Sequence, residues 1–223
     1  MTIPAVVIAA GLGTRLRPLT ERYAKPVLPI DGVPVLALLL RELAEAGCPE
    51  VTIVTGHLGH QLERLAGDGA GFALEIRYAR QDSPDGSAHA VVAARAKAPY
   101  LIVGADKRFA AGEVGRFASA FADSRASGAL AVEPRPGTVR LRDGLVERIV
   151  DTGLLGAPLW AVGPAVAPFV EALPGKLPFE LSTAFQAAID AGEPVAGIEI
   201  APTRDLTAPV DVLEQNFPYL RQL

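Results

Sequence analysis

The stretch "AVVIAAGLGTRLRPLTERYAKP", residues 5–26, joins a short apolar run to a glycine loop and a set of cations. Its first six residues form a continuous β-favouring run, which predicts a buried strand. Gly11 and Gly13 allow the following backbone to approach a ligand and to present N–H groups to it. Arg15 offers a guanidinium fork and Lys25 a point charge, and both suit phosphate oxygens. The stretch predicts a polyphosphate-binding loop after a strand; a glycine turn with solvated charges is the alternative.

β-favouring and helical segments alternate beyond this stretch. Apolar residues recur at helical spacing over residues 34–47, the β-branched run 50–56 follows, and the alternation continues to residue 105. This order predicts an α/β, Rossmann-like, mostly parallel sheet with helices on both faces and a ligand site at the carboxyl ends of the strands. Turn signals at Pro136-Gly137 and Asp143-Gly144 predict a small antiparallel patch in the second half of the chain.

The composition limits the class of protein. The 223 residues, half of them apolar, suffice for one domain over residues 1–223. The lone Cys48 excludes an internal disulfide, and the net charge of −4 gives no general attraction to nucleic acid. No run approaches the roughly 20 apolar residues of a membrane span. We therefore expect a cytoplasmic protein with no nucleic-acid partner and no membrane partner.

The opening loop resembles the signature of the sugar nucleotidyltransferases, the pyrophosphorylase enzymes that join a nucleoside triphosphate to a sugar 1-phosphate. The family pattern runs Gly-x-Gly-Thr/Ser-Arg-x-x-Pro-x-Thr and then Lys-Pro. It matches this chain at Gly11, Gly13, Thr14, Arg15, Pro18, Thr20, Lys25 and Pro26.

Three further segments resemble the same family in the same order. "RQDSPDGSAHAV", residues 80–91, resembles the base-reading loop and is especially similar to that of the glucose-1-phosphate thymidylyltransferases. "YLIVGAD" resembles the strand that delivers one metal-binding aspartate, here Asp106. "RDLTAPVDVLEQN" resembles a late motif of the family that supplies a second metal-binding aspartate, here Asp205.

The resemblance implies a Rossmann-like fold and a Mg²⁺-dependent transfer. Residues 1–130 would bind the nucleotide and residues 131–223 the phosphorylated acceptor. Hard carboxylate oxygens suit the metal. The residues implied are Arg15 and Lys25 for catalysis; Ala10, Gly11, Gly13, Thr14, Gln81, Gly86 and Ser87 for the nucleotide; Glu180 and Lys107 for the acceptor; and Asp106 and Asp205 for Mg²⁺. His89 is interpreted as a residue that packs or that supports a ligand-binding neighbour, and Trp160 as a core residue.

The second half departs from the family pattern. The family's Glu-Lys-Pro is replaced by "RIVDTGLL", residues 148–155, which has no lysine, and "GAPLW", residues 156–160, lacks the family's asparagine. Lys107 and Arg108 are candidates to replace that lysine. Two alternatives stay open: a cytidylyltransferase for a phosphorylated alcohol such as choline or inositol phosphate, and a non-catalytic, nucleotide-binding regulatory paralogue. The nucleobase, the sugar and any assembly with further copies of the chain are also open.

Overall fold

A computed structural model describes residues 3–149 and 152–217. The first half contains these strands and helices: β1 (Ala5–Ala9), β2 (Pro29–Ile30), β3 (Val33–Pro34), α1 (Val35–Glu45), β4 (Glu50–Thr55), α2 (Gly59–Ala66), β5 (Glu75–Arg80), α3 (Ser87–Ala94), β6 (Tyr100–Gly104), β7 (Lys107–Arg108) and α4 (Glu113–Ser124). The second half contains β8 (Gly128–Gly137), β9 (Arg140–Arg142), β10 (Leu145–Arg148), β11 (Gly153–Val162), α5 (Ala167–Glu171), α6 (Leu181–Asp190), β12 (Val195–Glu199), β13 (Arg204–Asp205) and α7 (Pro209–Asn216).

One large sheet runs through the part of the chain that the structure describes, in the order β5-β4-β1-β6-β11-β8-β12-β10-β9. Strands β5, β4, β1 and β6 are parallel, and β12 is parallel to β8. Strand β11 lies antiparallel between β6 and β8, and so joins the two halves. The predicted α/β fold with a mostly parallel sheet and a small antiparallel patch is confirmed.

Successive residues of β1 pack into two different hydrophobic clusters. Val6 belongs to the cluster that contains Phe185 of α6, whereas Val7 belongs to the cluster that contains Leu40 of α1 and Phe117 of α4. Side chains of a strand alternate between the two faces of its sheet, so an apolar run without alternation requires packing on both faces. The run in β1 is therefore continuous because helices cover the sheet on both sides, as predicted.

The second half differs in detail from the sequence-based expectation. The Asp143-Gly144 turn is confirmed, because both residues have positive φ angles (52° and 78°) between β9 and β10. The turn predicted at Pro136-Gly137 is wrong: β8 runs through Gly137 and pairs there with β11, and the bend falls at Thr138. Strand β11 was not predicted, and in the first half helix α4 was not predicted either.

No helix within residues 3–149 and 152–217 has the length and apolar character that crossing a bilayer requires.

The loop before α3 packs tightly on a segment of the second half. Phe179 N–H donates to the Asp85 carbonyl (2.7 Å), and Ala88 N–H donates to the Phe179 carbonyl (2.9 Å). Between them, Gly86 has φ of +109°, and a Cβ at that position would lie 2.2 Å from the Phe179 carbonyl oxygen. Only glycine fits this close approach without a shift of the backbone.

Gly86→Ala is expected to lower the free energy of unfolding by about 2 kcal/mol, because the new Cβ meets backbone and the residue keeps a positive φ. Chemical denaturation measures the change. Gly71→Ala is the matched control, because nothing lies within 4 Å of a Cβ there and its φ is not in the positive range; it should change stability by less than about 1 kcal/mol. Equal effects of the two substitutions would contradict the argument.

Candidate functional site

The glycine loop after β1 is held in shape by its own residues. Gly13 has φ of 60°, and its carbonyl accepts a hydrogen bond from Thr20 Oγ1 (2.9 Å). Buried Leu16 fixes the short 3-10 turn that carries Arg15. The Arg15 side chain is exposed at the cleft described below and has no ion-pair partner among the described residues. A free guanidinium at this position can take two oxygens of an anionic ligand.

Lys25 connects the two aspartates that were predicted to bind metal. Its Nζ lies 3.0 Å from Asp106 Oδ2 and 3.1 Å from Asp205 Oδ1. Asp106 follows β6, and Asp205 lies in β13, which pairs antiparallel with β7 so that Asp205 stands opposite Lys107. Lys107 Nζ lies 2.8 Å from Asp205 Oδ2. The structure thus brings together residues from three distant parts of the sequence.

The lysines determine the charge state of Asp205. Burial acts to raise the pKa of this carboxyl group, but the hydrogen bond and charge of Lys107, together with those of Lys25, outweigh it and lower the pKa below its usual value. Asp205 is therefore ionised at neutral pH and presents a carboxylate to any cation that enters the site.

A cleft of about 680 Å³ opens between the glycine loop and the second half. Most of the predicted site residues line it: Gly11, Gly13, Thr14, Arg15, Lys25, Ser87, Asp106, Lys107, Glu180 and Asp205. Three predicted nucleotide-binding residues are not part of this lining. Ala10 is buried at the base of the loop, and Gln81 and Gly86 lie together beyond β5.

Gln81 is held by main-chain and side-chain hydrogen bonds. Its backbone N–H donates to the Thr55 carbonyl of β4 (2.8 Å). Its Nε2 donates to the Gly86 carbonyl (3.0 Å) and lies 3.2 Å from His89 Nδ1. The two predicted base-reading residues are therefore in direct contact. His89, interpreted from the sequence as a packing residue or as support for a ligand-binding neighbour, forms a hydrogen bond with Gln81.

Ser87 and Glu180 join the nucleotide half to the acceptor half. Ser87 Oγ donates to the Glu180 carboxylate and accepts a hydrogen bond from Leu181 N–H (2.9 Å). Ser87 begins α3, and Glu180 precedes α6. The predicted nucleotide-binding serine and acceptor-binding glutamate are thus partners of each other at the edge of the cleft.

The end of the cleft formed by the second half of the chain, called the acceptor end because the acceptor is predicted to bind there, is largely apolar, which the sequence analysis did not predict. Trp160, expected in the core, packs against Phe185 (4.6 Å between ring centroids) but is half-buried and also lines the cleft. Thr138 and Ser182 supply hydroxyl groups there. The apolar lining residues include Leu130, Val139, Ile149, Leu155, Ala157, Pro158 and Trp160. The position of Trp160 at the cleft could have been predicted from the alternation of side chains along β11 if that strand had been recognised. Asp151, in the segment that replaces the family's lysine, lies outside the described residues.

The donor set of Asp106 and Asp205 fits a hard divalent cation. Their oxygens converge on one ammonium group, so a cation already occupies the position where their charges meet. Within the described residues, no group of three or more His, Cys, Asp or Glu side chains is placed to hold a metal. Two carboxylates suit Mg²⁺, which keeps several water or phosphate oxygens in its shell.

Lys107→Met is expected to raise the pKa of Asp205 and to lower the free energy of unfolding at neutral pH by about 1 kcal/mol or less, since the pair is partly exposed. The folded-state pKa of Asp205 is depressed, so its stabilising contribution exists at neutral pH and is lost as pH falls through that value. The difference between wild type and variant should therefore shrink in acid.

Chemical denaturation at neutral and acid pH, with an NMR titration of the Asp205 carboxyl carbon, measures both effects. Lys176→Met is the control, because that lysine is exposed and has no ion pair among the described residues. A stability loss of equal size at both pH values would show that Lys107 acts through packing and not through charge.

Comparison with known proteins identifies the family of this chain. The sequence model of the family described as Nucleotidyl transferase matches residues 4–148. Glucose-1-phosphate thymidylyltransferase of Streptomyces griseus is 33% identical over 232 aligned residues, which cover 95% of this chain and 64% of that protein. The chain thus spans somewhat less than two thirds of this curated relative.

Solved structures share the fold at lower sequence identity. A glucose-1-phosphate thymidylyltransferase from Bacillus anthracis, described as putative and crystallised with sucrose, has a TM-score of 0.84 and 16% identity, covering 96% of this chain and 94% of its own. The inositol-1-phosphate CTP transferase of T. maritima has a TM-score of 0.80 and 18% identity, covering 94% and 91%. With the family match over most of the chain, these similarities show that the protein belongs to the nucleotidyl transferase family.

Proposed function

We propose that this protein is a Mg²⁺-dependent nucleotidyltransferase that joins a nucleoside triphosphate to a sugar 1-phosphate. The observation that supports this most directly is the convergence of Asp106 and Asp205 on Lys25, beside the glycine loop that carries Arg15. Two carboxylates and two cations in one cleft suit a reaction between two phosphate groups. Members of the family with the same fold are named for this chemistry.

In the proposed reaction, a phosphate oxygen of the acceptor attacks the α-phosphorus of the triphosphate. A bond forms between that oxygen and the α-phosphorus, the bond from the α-phosphorus to the bridging oxygen breaks, and pyrophosphate leaves with the bonding electrons. Arg15 neutralises charge on the leaving pyrophosphate, and Lys25 holds phosphate at the reacting end. This transfer depends on positioning and charge neutralisation, so no separate proton-transfer base is needed.

Asp106 and Asp205 would hold Mg²⁺, which when bound supplies positive charge to phosphate oxygens. Lys25 contacts both carboxylates in the cleft. Its ammonium group would bind substrate phosphate beside them. Lys107 can act in the same way toward the acceptor phosphate, because it is paired with Asp205 at the cleft and not with a residue outside it.

A phosphorylated alcohol is the second candidate for the acceptor. The apolar side chains at the acceptor end, with few hydroxyl groups among them, offer few hydrogen-bond partners and so suit an alcohol with few hydroxyls, such as choline phosphate, better than a hexose. The fold is shared with an inositol-1-phosphate CTP transferase. The same assay distinguishes the two acceptor classes.

The direct test is pyrophosphate release with Mg²⁺, each of dTTP, UTP, CTP, GTP and ATP, and a panel of hexose 1-phosphates, N-acetylated sugar phosphates and phosphorylated alcohols. Release that requires one nucleotide and one acceptor supports the proposal and identifies both substrates. Tight nucleotide binding without pyrophosphate release in any combination would contradict the proposal and support the alternative of a non-catalytic regulatory paralogue.

Arg15→Ala is expected to lower turnover by at least about a hundredfold, as is typical when one transition-state donor is lost. Arg17→Ala is the matched control, because Arg17 lies two residues further along the same loop, is exposed and does not line the cleft. Its turnover should stay close to that of the wild type. An Arg15→Ala variant with wild-type turnover would remove Arg15 from the mechanism.

Asp106→Asn and Asp205→Asn are expected to weaken Mg²⁺ binding in the presence of nucleotide by at least about tenfold each, since each removes one anionic oxygen ligand. Mn²⁺ in place of Mg²⁺ allows binding to be followed by electron paramagnetic resonance. Asp123→Asn, an exposed aspartate on α4, is the control. Unchanged metal binding in both site variants would contradict the assigned ligands.

A further inference from the structure

A second cavity lies away from the cleft, between helix α3 of the first half and helix α5 of the second half. Its volume is about 440 Å³, and none of the residues that line it also lines the cleft. Tyr100, which lines this cavity, begins β6, whereas Asp106 of the cleft follows the end of that strand. The cavity and the cleft therefore lie at opposite ends of β6.

The hydroxyl group of Tyr100 is available to a ligand in this cavity. The residue is only 3% exposed, yet its Oη forms no hydrogen bond with any residue that the structure describes. No tyrosine hydroxyl in the described part of the chain is both enclosed and unpartnered, so solvent reaches Tyr100 Oη, and the cavity supplies the access. Burial and the negative charge of Glu171 raise the pKa of Tyr100, so the hydroxyl is protonated at neutral pH and can donate. A buried tyrosine hydroxyl normally has a partner.

Charged side chains of opposite sign line the two walls of the cavity. Arg95 and Lys97 follow α3, and Glu171 ends α5. None of the three forms an ion pair with any residue in the described ranges, so the cavity keeps the carboxylate apart from both cations. Between the walls the lining is apolar, with Val91 and Val170 buried in it. Each wall thus offers an unneutralised charge to a ligand that enters between them.

We propose that this cavity is a binding site for a small zwitterion that carries an ammonium group and either a carboxylate or a phosphate group. The anionic group binds Arg95 and Lys97 and accepts a hydrogen bond from the Tyr100 hydroxyl. The ammonium group binds the Glu171 carboxylate. A simple anion would satisfy only the α3 wall and would face the charge of Glu171 across the cavity. The cavity shares no residue with the cleft, so its occupancy is independent of the proposed function.

NMR titration of the isotope-labelled full chain at neutral pH tests the proposal with matched pairs of probes. L-Valine is compared with isovalerate, which lacks only the amino group, and phosphoethanolamine with ethyl phosphate. At least one zwitterion should saturably shift the backbone amide signals of Ala96 and Lys97. It should bind about tenfold more tightly than its analogue without the amino group, the usual effect of one charge-assisted hydrogen bond. Binding of L-valine identifies a carboxylate ligand, and binding of phosphoethanolamine a phosphate ligand.

Two variants separate the roles of the lining residues. Glu171→Gln removes the charge that pairs with the ammonium group, so the zwitterion and its analogue should bind with nearly equal affinity. Tyr100→Phe should weaken binding of the zwitterion by about tenfold. This variant should fold normally, because the hydroxyl has no partner among the described residues. Glu63→Gln is the matched control, since Glu63 is an exposed carboxylate on α2, and it should bind both probes as the wild type does.

Three results would overturn the proposal. The first is equal affinity of the wild type for each zwitterion and its analogue, which would make the cavity a site for anions alone. The second is a preference for the zwitterion that survives in Glu171→Gln. The third is the absence of saturable shifts at Ala96 and Lys97 with both zwitterions. Pyrophosphate release is assayed separately, so failure of this proposal leaves the proposed function unaffected.

Discussion

The ammonium group of Lys25, held between Asp106 and Asp205, is the contact on which the candidate site depends. Two carboxylates at this separation repel each other strongly in a partly buried site unless a cation lies between them. The lysine provides that cation from the first loop of the chain, and the aspartates come from the end of β6 and from β13. One positive charge therefore connects the N-terminal loop, the centre of the large sheet and the C-terminal part of the chain.

Hydrogen bonds between the loop before α3 and the segment before α6 form the second connection between the two halves of the chain. Asp85, Ser87 and Ala88 on one side bond to Phe179, Glu180 and Leu181 on the other, and Gly86 fits between them without a side chain. A nucleotide bound at this loop and an acceptor bound near Glu180 would thus contact neighbouring residues of the same network. Movement of either segment requires several hydrogen bonds to break together.

The sequence predicted the local features and missed those that depend on tertiary packing. The continuous apolar run of β1 and the Asp143-Gly144 turn depend on neighbouring residues, so they could be predicted correctly. Strand β11 could not, because its Gly156, Ala157 and Pro158 have low strand propensity and its extended form depends on pairing with β6 and β8. The apolar lining at the acceptor end was missed for the same reason. Gln81 and Gly86 could be recognised from their motif, but only coordinates bring His89 Nδ1 to the Gln81 amide.

The two-stranded ribbon of β7 and β13 fixes the position of Asp205 independently of the residues that line the acceptor end. Only Lys107 and Arg108 pair with Arg204 and Asp205, yet this register places Asp205 on the face of Lys107; a slip by one residue would turn it to the opposite face. The residues that line the acceptor end, from Leu130 to Ser182, all lie in the segment of chain between β7 and β13. Substitutions along that segment can reshape the substrate pocket while the ribbon keeps the charged groups in place. Under the proposed function, the chain separates the part that would determine which acceptor is bound from the part that would determine where the phosphates meet.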